Sequence, residues 1–213
     1  MTEAEWLTST DPEPMLDFLE ATASGRKLRL FACACCRRFW RCLNDARSRD
    51  AIEVAERLAD GAATVGEREA AAESSWEATK GLLNAAMYSA QAVHWTLNES
   101  PSFAASEAAR DIESASVCDP DDPEEEPAAQ AGLLRDIFGN PFRPTAVDRA
   151  RRTPTVVSAA QTIYDERTFE RMPGLAHALE AACCNNSDIL LHCRGPGPHV
   201  RGCWVVDLIL GKE

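Results

Sequence analysis

The residues best suited to chemistry lie in "HCRGPGPHVRGCW", positions 192–204, where two histidines and two cysteines flank a Gly-Pro-Gly-Pro run. Cys193, His199 and Cys203 place three nitrogen and sulfur donors within eleven residues. A closed zinc site takes four such donors. His192, Cys183 or a thiol of the distant "CACC" at 33–36 could supply the fourth. The spacing matches no standard finger, so zinc, structural or hydrolytic, is one reading. The other is a rigid turn in which glycine supplies unusual backbone angles and proline fixes its neighbours. His199 would then hydrogen-bond within the turn, and Cys203 and Trp204 would enter the core.

Catalysis suits this stretch less well. Cys193 could act as a nucleophile with His192 or His199 as base and Asp188 or Asp207 orienting it. Adjacent residues on a helix point about 100° apart, however, which places His192 badly for activating Cys193. The glycines do not form a phosphate loop, because the Gly-Lys-Ser/Thr ending is missing and proline removes backbone donors. No complete catalytic constellation is present, and no residue is assigned a catalytic role.

A second cysteine-rich stretch is "RKLRLFACACCRRFWRC", residues 26–42. Its apolar positions 28, 31, 35, 39 and 42 form one helical stripe, and Cys33, Cys36 and Trp40 form another beside it. A helix with two apolar stripes is central to its domain, and cysteine is among the residues most often buried. Cys33 and Cys36 read first as small core residues and second as half of a zinc site. Arg37, Arg38 and Arg41 crowd the end of the same helix, with no acid between residues 21 and 44. They suit an anion or nucleic-acid contact. Pairing with the surplus acids of the chain, residues 119–127 included, is the alternative that the overall charge favours. In "RDIFGNPFRP", Phe142 and Arg143 stand between two prolines, either as a partner contact or as a plug over the core.

These groups need elements to hold them, and composition points to helices. The chain has 213 residues, 45% of them hydrophobic and 26% charged, and a net charge of −12. The length suits one large domain or two small ones. Six acids and no base fall in residues 118–127, whereas 128–213 is nearly neutral. An acidic chain is repelled by phosphate backbones, so nucleic acid is a disfavoured partner. No apolar run is long enough to span a bilayer. The first residues lack the basic and apolar regions of a signal peptide, which sets the expectation of a cytoplasmic protein. Nine cysteines, an odd number, then argue against a disulfide framework.

Alanine, leucine, glutamate and arginine dominate the first half and favour helix. Thr10 or Asp11 caps a first helix with Pro12 at its start, Ser24 starts a second, and Ser48 and Gly61 bound a third. Residues 67–99 hold a helical pattern for some thirty residues, and Phe103–Val117 continues it. "DPDDPEEEP" cannot build a core, and residues 118–128 read as an acidic, flexible loop or linker. Beyond it come a short helix stopped at Gly139, one capped by Thr153 and Pro154, one in "MPGLAHALEAACC", and one capped by Ser187 or Asp188. The apolar run in "VRGCWVVDLILG" fits strand or helix equally by periodicity. With no other strand to pair with, helix is the assignment. The expected fold is all-α, a single helical domain or bundle over residues 1–213 with its terminal helices packed together across the acidic insertion.

The phrases "TDPEPMLDFLEATASGRKLRLFACACCRRFW", "LLRDIFGNPFRP" and "HCRGPGPHVRGCWVVDLILGK" resemble a protein family expanded in planctomycete bacteria. The resemblance runs over nearly the whole chain, with residues 62–128 as the variable part. It brings no activity, cofactor or catalytic residue. The family's many copies fit interaction or regulatory modules better than a housekeeping enzyme. The leading expectation is therefore a non-enzymatic helical module with a protein partner. Zinc binding is the alternative, and nucleic-acid contact through the basic helix the third.

Overall fold

The computed structural model describes residues 1–119 and 125–212. Among them are twelve α-helices and three short 3-10 segments, and no strand. The chain divides into two compact units, Met1–Leu134 and Arg135–Glu213. The division falls inside a helix rather than at the acidic stretch.

The first unit holds α1 (Glu3–Thr8), α2 (Glu13–Leu19), α3 (Gly25–Arg38), α4 (Ala46–Ala59), α5 (Val65–Thr79), α6 (Asn84–Trp95), α7 (Pro101–Val117) and most of α8 (Glu126–Phe138). Helix α3 starts at Ser24, whose side chain accepts from the Lys27 N–H. Every residue from Leu28 to Cys36 is buried. A helix buried all round sits at the centre of its unit, and α3 packs against α4, α6 and α7. Helix α7, which packs on both α3 and α6, buries Ala104, Ala105, Ala108, Ala109 and Ala115. Both helices bury mainly small residues, alanines on α7 and Ala32, Cys33, Ala34, Cys35 and Cys36 on α3, which suits dense packing of the unit's centre. The buried Arg29 guanidinium donates to the carbonyl of Thr96, satisfying the end of α6.

Three local expectations are corrected. The thirty-residue helix is two, α5 and α6, because Lys80 turns extended and Gly81 takes a left-handed φ of +79°. Helix α4 is capped by Asp45, whose carboxylate accepts from the Arg47 N–H, while Ser48 is buried inside the first turn. Helix α2 begins one residue later than expected, with Pro12 at the cap. Of the acidic segment 118–128, residues 120–124 lie outside the described residues. Glu126 is not solvated. It opens α8 at 1% exposure, 2.9 Å from Arg38 Nε and 3.2 Å from Gln130 Nε2. An available guanidinium makes burial of this carboxylate tolerable.

The second unit holds the end of α8 with α9 (Pro154–Glu166), α10 (Met172–Ala181), α11 (Ser187–Arg194) and α12 (Trp204–Leu210). Thr153 caps α9 with Pro154 in its first turn, as the sequence predicts. Helix α9 packs on α10 and α12, and α11 on α10 and α12. Val156, Ile163, Tyr164, Leu175, Leu179, Ile189, Val205 and Ile209 are among the core they enclose. The final apolar run is helix, ended by Gly211 in the left-handed region.

Burial sorts the thiols. Cys33, Cys35, Cys36, Cys193 and Cys203 are buried, while Cys118 and Cys183 are exposed. Burial pushes the Cys33, Cys35 and Cys36 thiols well above their usual range, so they remain protonated and inert. A short iodoacetamide pulse on native protein, read by peptide mass spectrometry, is expected to label Cys118 and Cys183 and spare Cys33, Cys35 and Cys36 until urea is added. Equal labelling of Cys33 and Cys118 would contradict their place in the core.

Candidate metal centre

Four side chains of the second unit converge: Asp136, His192, His199 and Cys203. Asp136 sits in the last turn of α8, which Gly139 ends at a φ of +65°. A Cβ on Gly139 would stand 3.1 Å from the Trp204 ring, so this residue must be glycine both for its backbone and for its neighbour. Gly139→Ala is expected to cost about 1–3 kcal/mol in urea unfolding followed by tryptophan fluorescence. An unchanged midpoint would refute the close approach.

His192 comes from α11, where the Asn186 side chain accepts from the N–H groups of Asp188 and Ile189. On this helix Ile189 and Cys193 face the core. His192, one residue from Cys193, is turned away from it, as the 100° step requires. The Gly-Pro-Gly-Pro run then brings the chain back. Gly197 has a φ of +95°, and a Cβ there would stand 3.0 Å from the His199 backbone nitrogen. The turn sets the His199 ring edge-on to the His192 ring, with centroids 4.8 Å apart. Gly202, at φ +96°, leads into Cys203 at the cap of α12.

The donor atoms face one another. Asp136 Oδ1 lies 2.9 Å from His199 Nδ1 and 3.1 Å from His192 Nε2. His192 Nε2 lies 3.1 Å from Cys203 Sγ. All four donors fall within 4.8 Å of one another. A tetrahedral zinc with bonds of about 2.0–2.3 Å has donor–donor edges of about 3.3–3.8 Å. The contacts of 2.9–3.1 Å would open by a few tenths of an ångström and the widest pair, at up to 4.8 Å, would close by about 1 Å to complete such a shell.

The outer contacts are also in place. The Val200 N–H donates to Asp136 Oδ2 at 2.9 Å, leaving Oδ1 toward the cluster. His199 Nε2 lies 3.3 Å from the Gly195 carbonyl, leaving Nδ1 toward the cluster. Metal-ligating histidines and carboxylates are held by this kind of second contact. Burial disfavours the charged form of Asp136, but hydrogen bonds from His192 and His199 outweigh it and hold the carboxyl below its usual range. Burial likewise opposes the His199 charge, and its bonds to Asp136 raise its pKa overall. Burial and the Asp136 charge push the Cys203 thiol well up. Its sulfur therefore needs a bound cation to become a thiolate near neutral pH.

No protein-family model, curated protein or solved structure matches the chain. What the cluster can do is read from its own donors: one carboxylate, two imidazoles and one thiol. That set suits zinc and not the all-oxygen shells of calcium or magnesium.

Of the residues expected from sequence, His192, His199 and Cys203 meet, and Cys193 does not join them. It is buried beside Ile189, with its thiol pushed up to about 12, first by burial and then by Cys184. The fourth member of the cluster is Asp136; Cys183 is exposed, and the "CACC" thiols are core residues of the other unit. Asp136 had a legible signal. It is an acid among Leu133, Leu134 and Ile137, all buried, in the turn before a helix-ending glycine.

Arg37, Arg38 and Arg41 each meet carboxylates of their own unit. Arg37 Nε lies 2.5 Å from Glu56 and its Nη2 lies 2.6 Å from Glu53. Arg38 reaches Glu126, and Arg41 lies 2.8 Å from Asp119. The internal pairing weighed from the sequence is the observed one, and two of its acids come from residues 119–127. Phe142 and Arg143 are exposed, with the Phe142 N–H donating to the Asn140 side chain. Among the described residues no helix is long and apolar enough to cross a membrane.

Proposed function

We propose that this chain is a non-enzymatic helical module whose C-terminal unit holds one zinc ion through Asp136, His192, His199 and Cys203. The convergence of these four donors, two of them already oriented by backbone groups, carries the reading. Four protein donors fill a tetrahedral shell and leave no position for water or substrate. A structural ion therefore fits better than a hydrolytic one. Its work is to tie the end of α8 to α11, the Gly-Pro turn and the cap of α12.

Elemental analysis of protein purified without chelator tests the reading. About one equivalent of zinc per chain is expected for a site of this affinity class. Less than about a tenth of an equivalent, with no recovery on adding zinc, would overturn it.

A further inference from the structure

On the first unit, far from these donors in character, four aromatic rings form a continuous row across α5, α6 and α7. Trp76 and His94 have ring centroids 5.2 Å apart, His94 and Trp95 5.3 Å, and Trp95 and Phe103 5.6 Å. The inner two rings are partly buried and well fixed. His94 Nδ1 lies 3.1 Å from the Ala72 carbonyl, and the Trp95 indole N–H donates to Asp111 at 2.8 Å. The outer two, Trp76 and Phe103, are 46% and 45% exposed. Large aromatics are commonly left in water as parts of binding surfaces, because they bring wide contact area with few rotamers to freeze.

The surrounding charge selects the partner. From Val65 to Val117 the chain carries eight acids and three bases. All three bases are engaged: Arg68 with Glu69 and Glu99, Lys80 with Glu77, and Arg110 with Glu107. Glu73 lies one helical turn before Trp76 on the same helix face, and Glu107, one turn after Phe103, is shared with Arg110. An aromatic face rimmed by acids attracts a cation twice, through the ring quadrupole and through the carboxylates.

We infer that this row is a docking surface for a basic segment of a partner protein, its arginine or lysine side chains lying over Trp76 and Phe103, with Glu73 beside the first ring and the net-acidic surface of α5–α7 around both. The inference rests on the first unit alone and is independent of zinc.

An oligoarginine peptide serves as the probe, with an oligoglutamate peptide of equal length as control. Titration followed by tryptophan fluorescence and by anisotropy of the labelled peptide is expected to show saturable binding of oligoarginine only. The double variant Trp76→Ala, Phe103→Ala leaves the net charge unchanged and removes the two half-exposed outer rings of the row. It is expected to weaken binding at least about tenfold, the scale of losing interface anchors, while circular dichroism stays that of the parent. Equal affinity of parent and double variant would show attraction by net charge alone and overturn the inference. So would absence of saturable binding, or concentration-dependent self-association that the double variant abolishes.

Discussion

Cys203→Ala is expected to abolish tight zinc binding while costing the metal-free protein little. The thiol is the softest of the four donors and the one whose zinc bond cannot be replaced by water without loss. It is fully buried, so its removal leaves a cavity of about one atom, worth about 1 kcal/mol. The zinc-loaded protein loses far more. An ion present at a thousandfold over its Kd stabilises by about 4 kcal/mol, and the variant forfeits that increment. Isothermal titration with zinc measures the first effect, and urea unfolding with and without chelator measures the second. Cobalt substitution adds a signature that structural damage cannot imitate: the sulfur-to-cobalt charge-transfer band is present in the parent and absent in Cys203→Ala. Asp136→Asn keeps the acceptor for the Val200 N–H and removes only the charge, so it should weaken binding without unfolding the turn. Cys193→Ala is the internal control, expected to leave zinc affinity within about twofold because it lies outside the donor set. Comparable loss in Cys193→Ala and Cys203→Ala would refute the assigned ligands.

The largest effect in the first unit is expected from Arg37→Ala. Glu56 is 1% exposed and receives Arg37 at two oxygens, 2.5 and 3.1 Å away. Removing the guanidinium leaves a buried carboxylate short of its main counter-charge, a change that costs about 3–5 kcal/mol. That is a large share of the roughly 5–15 kcal/mol that holds a typical domain together. The same truncation at Arg41, half-exposed in its pair with Asp119, is expected to cost no more than about 1 kcal/mol. Urea midpoints of the two variants compare them directly. Equal midpoints would mean that burial of Glu56 does not govern the cost. Arg37→Lys should recover only part of the loss, since an ammonium cannot reach Glu53 and both Glu56 oxygens in one plane.

Helical character was legible because it depends on local composition and caps. Ser24, Thr153 with Pro154, Gly61 and Gly139 all mark helix ends where the sequence places them. The break at Lys80–Leu83 was hidden because a lone glycine inside a helical pattern costs only about 1 kcal/mol and does not by itself announce a turn. The bland reading of "CACC" followed from the tendency of cysteine to be buried, and α3 bears it out. The candidate metal centre was half visible. His192, His199 and Cys203 are close in sequence and carry familiar donor chemistry, so spacing brings them forward. Cys193 shares that spacing and fails on direction, since Ile189 and Cys193 occupy the same inward face of α11. Asp136 is 63 residues from His199. Pairing over that distance is a property of the fold and leaves no periodic trace.

With zinc bound as proposed, that separation would give the Gly-Pro turn a role in the order of assembly. Three of the four proposed ligands sit within a dozen residues on either side of it, close enough for a newly made chain to capture an ion before its helices have docked. Asp136 must then be brought in across a loop of 63 residues, whose closure costs about 4 kcal/mol of chain entropy. An ion already seated on the turn would offset much of that cost. The metal would then act as a nucleus on which the C-terminal unit closes, and chelator added during refolding should slow that closure far more than chelator added afterwards speeds its loss.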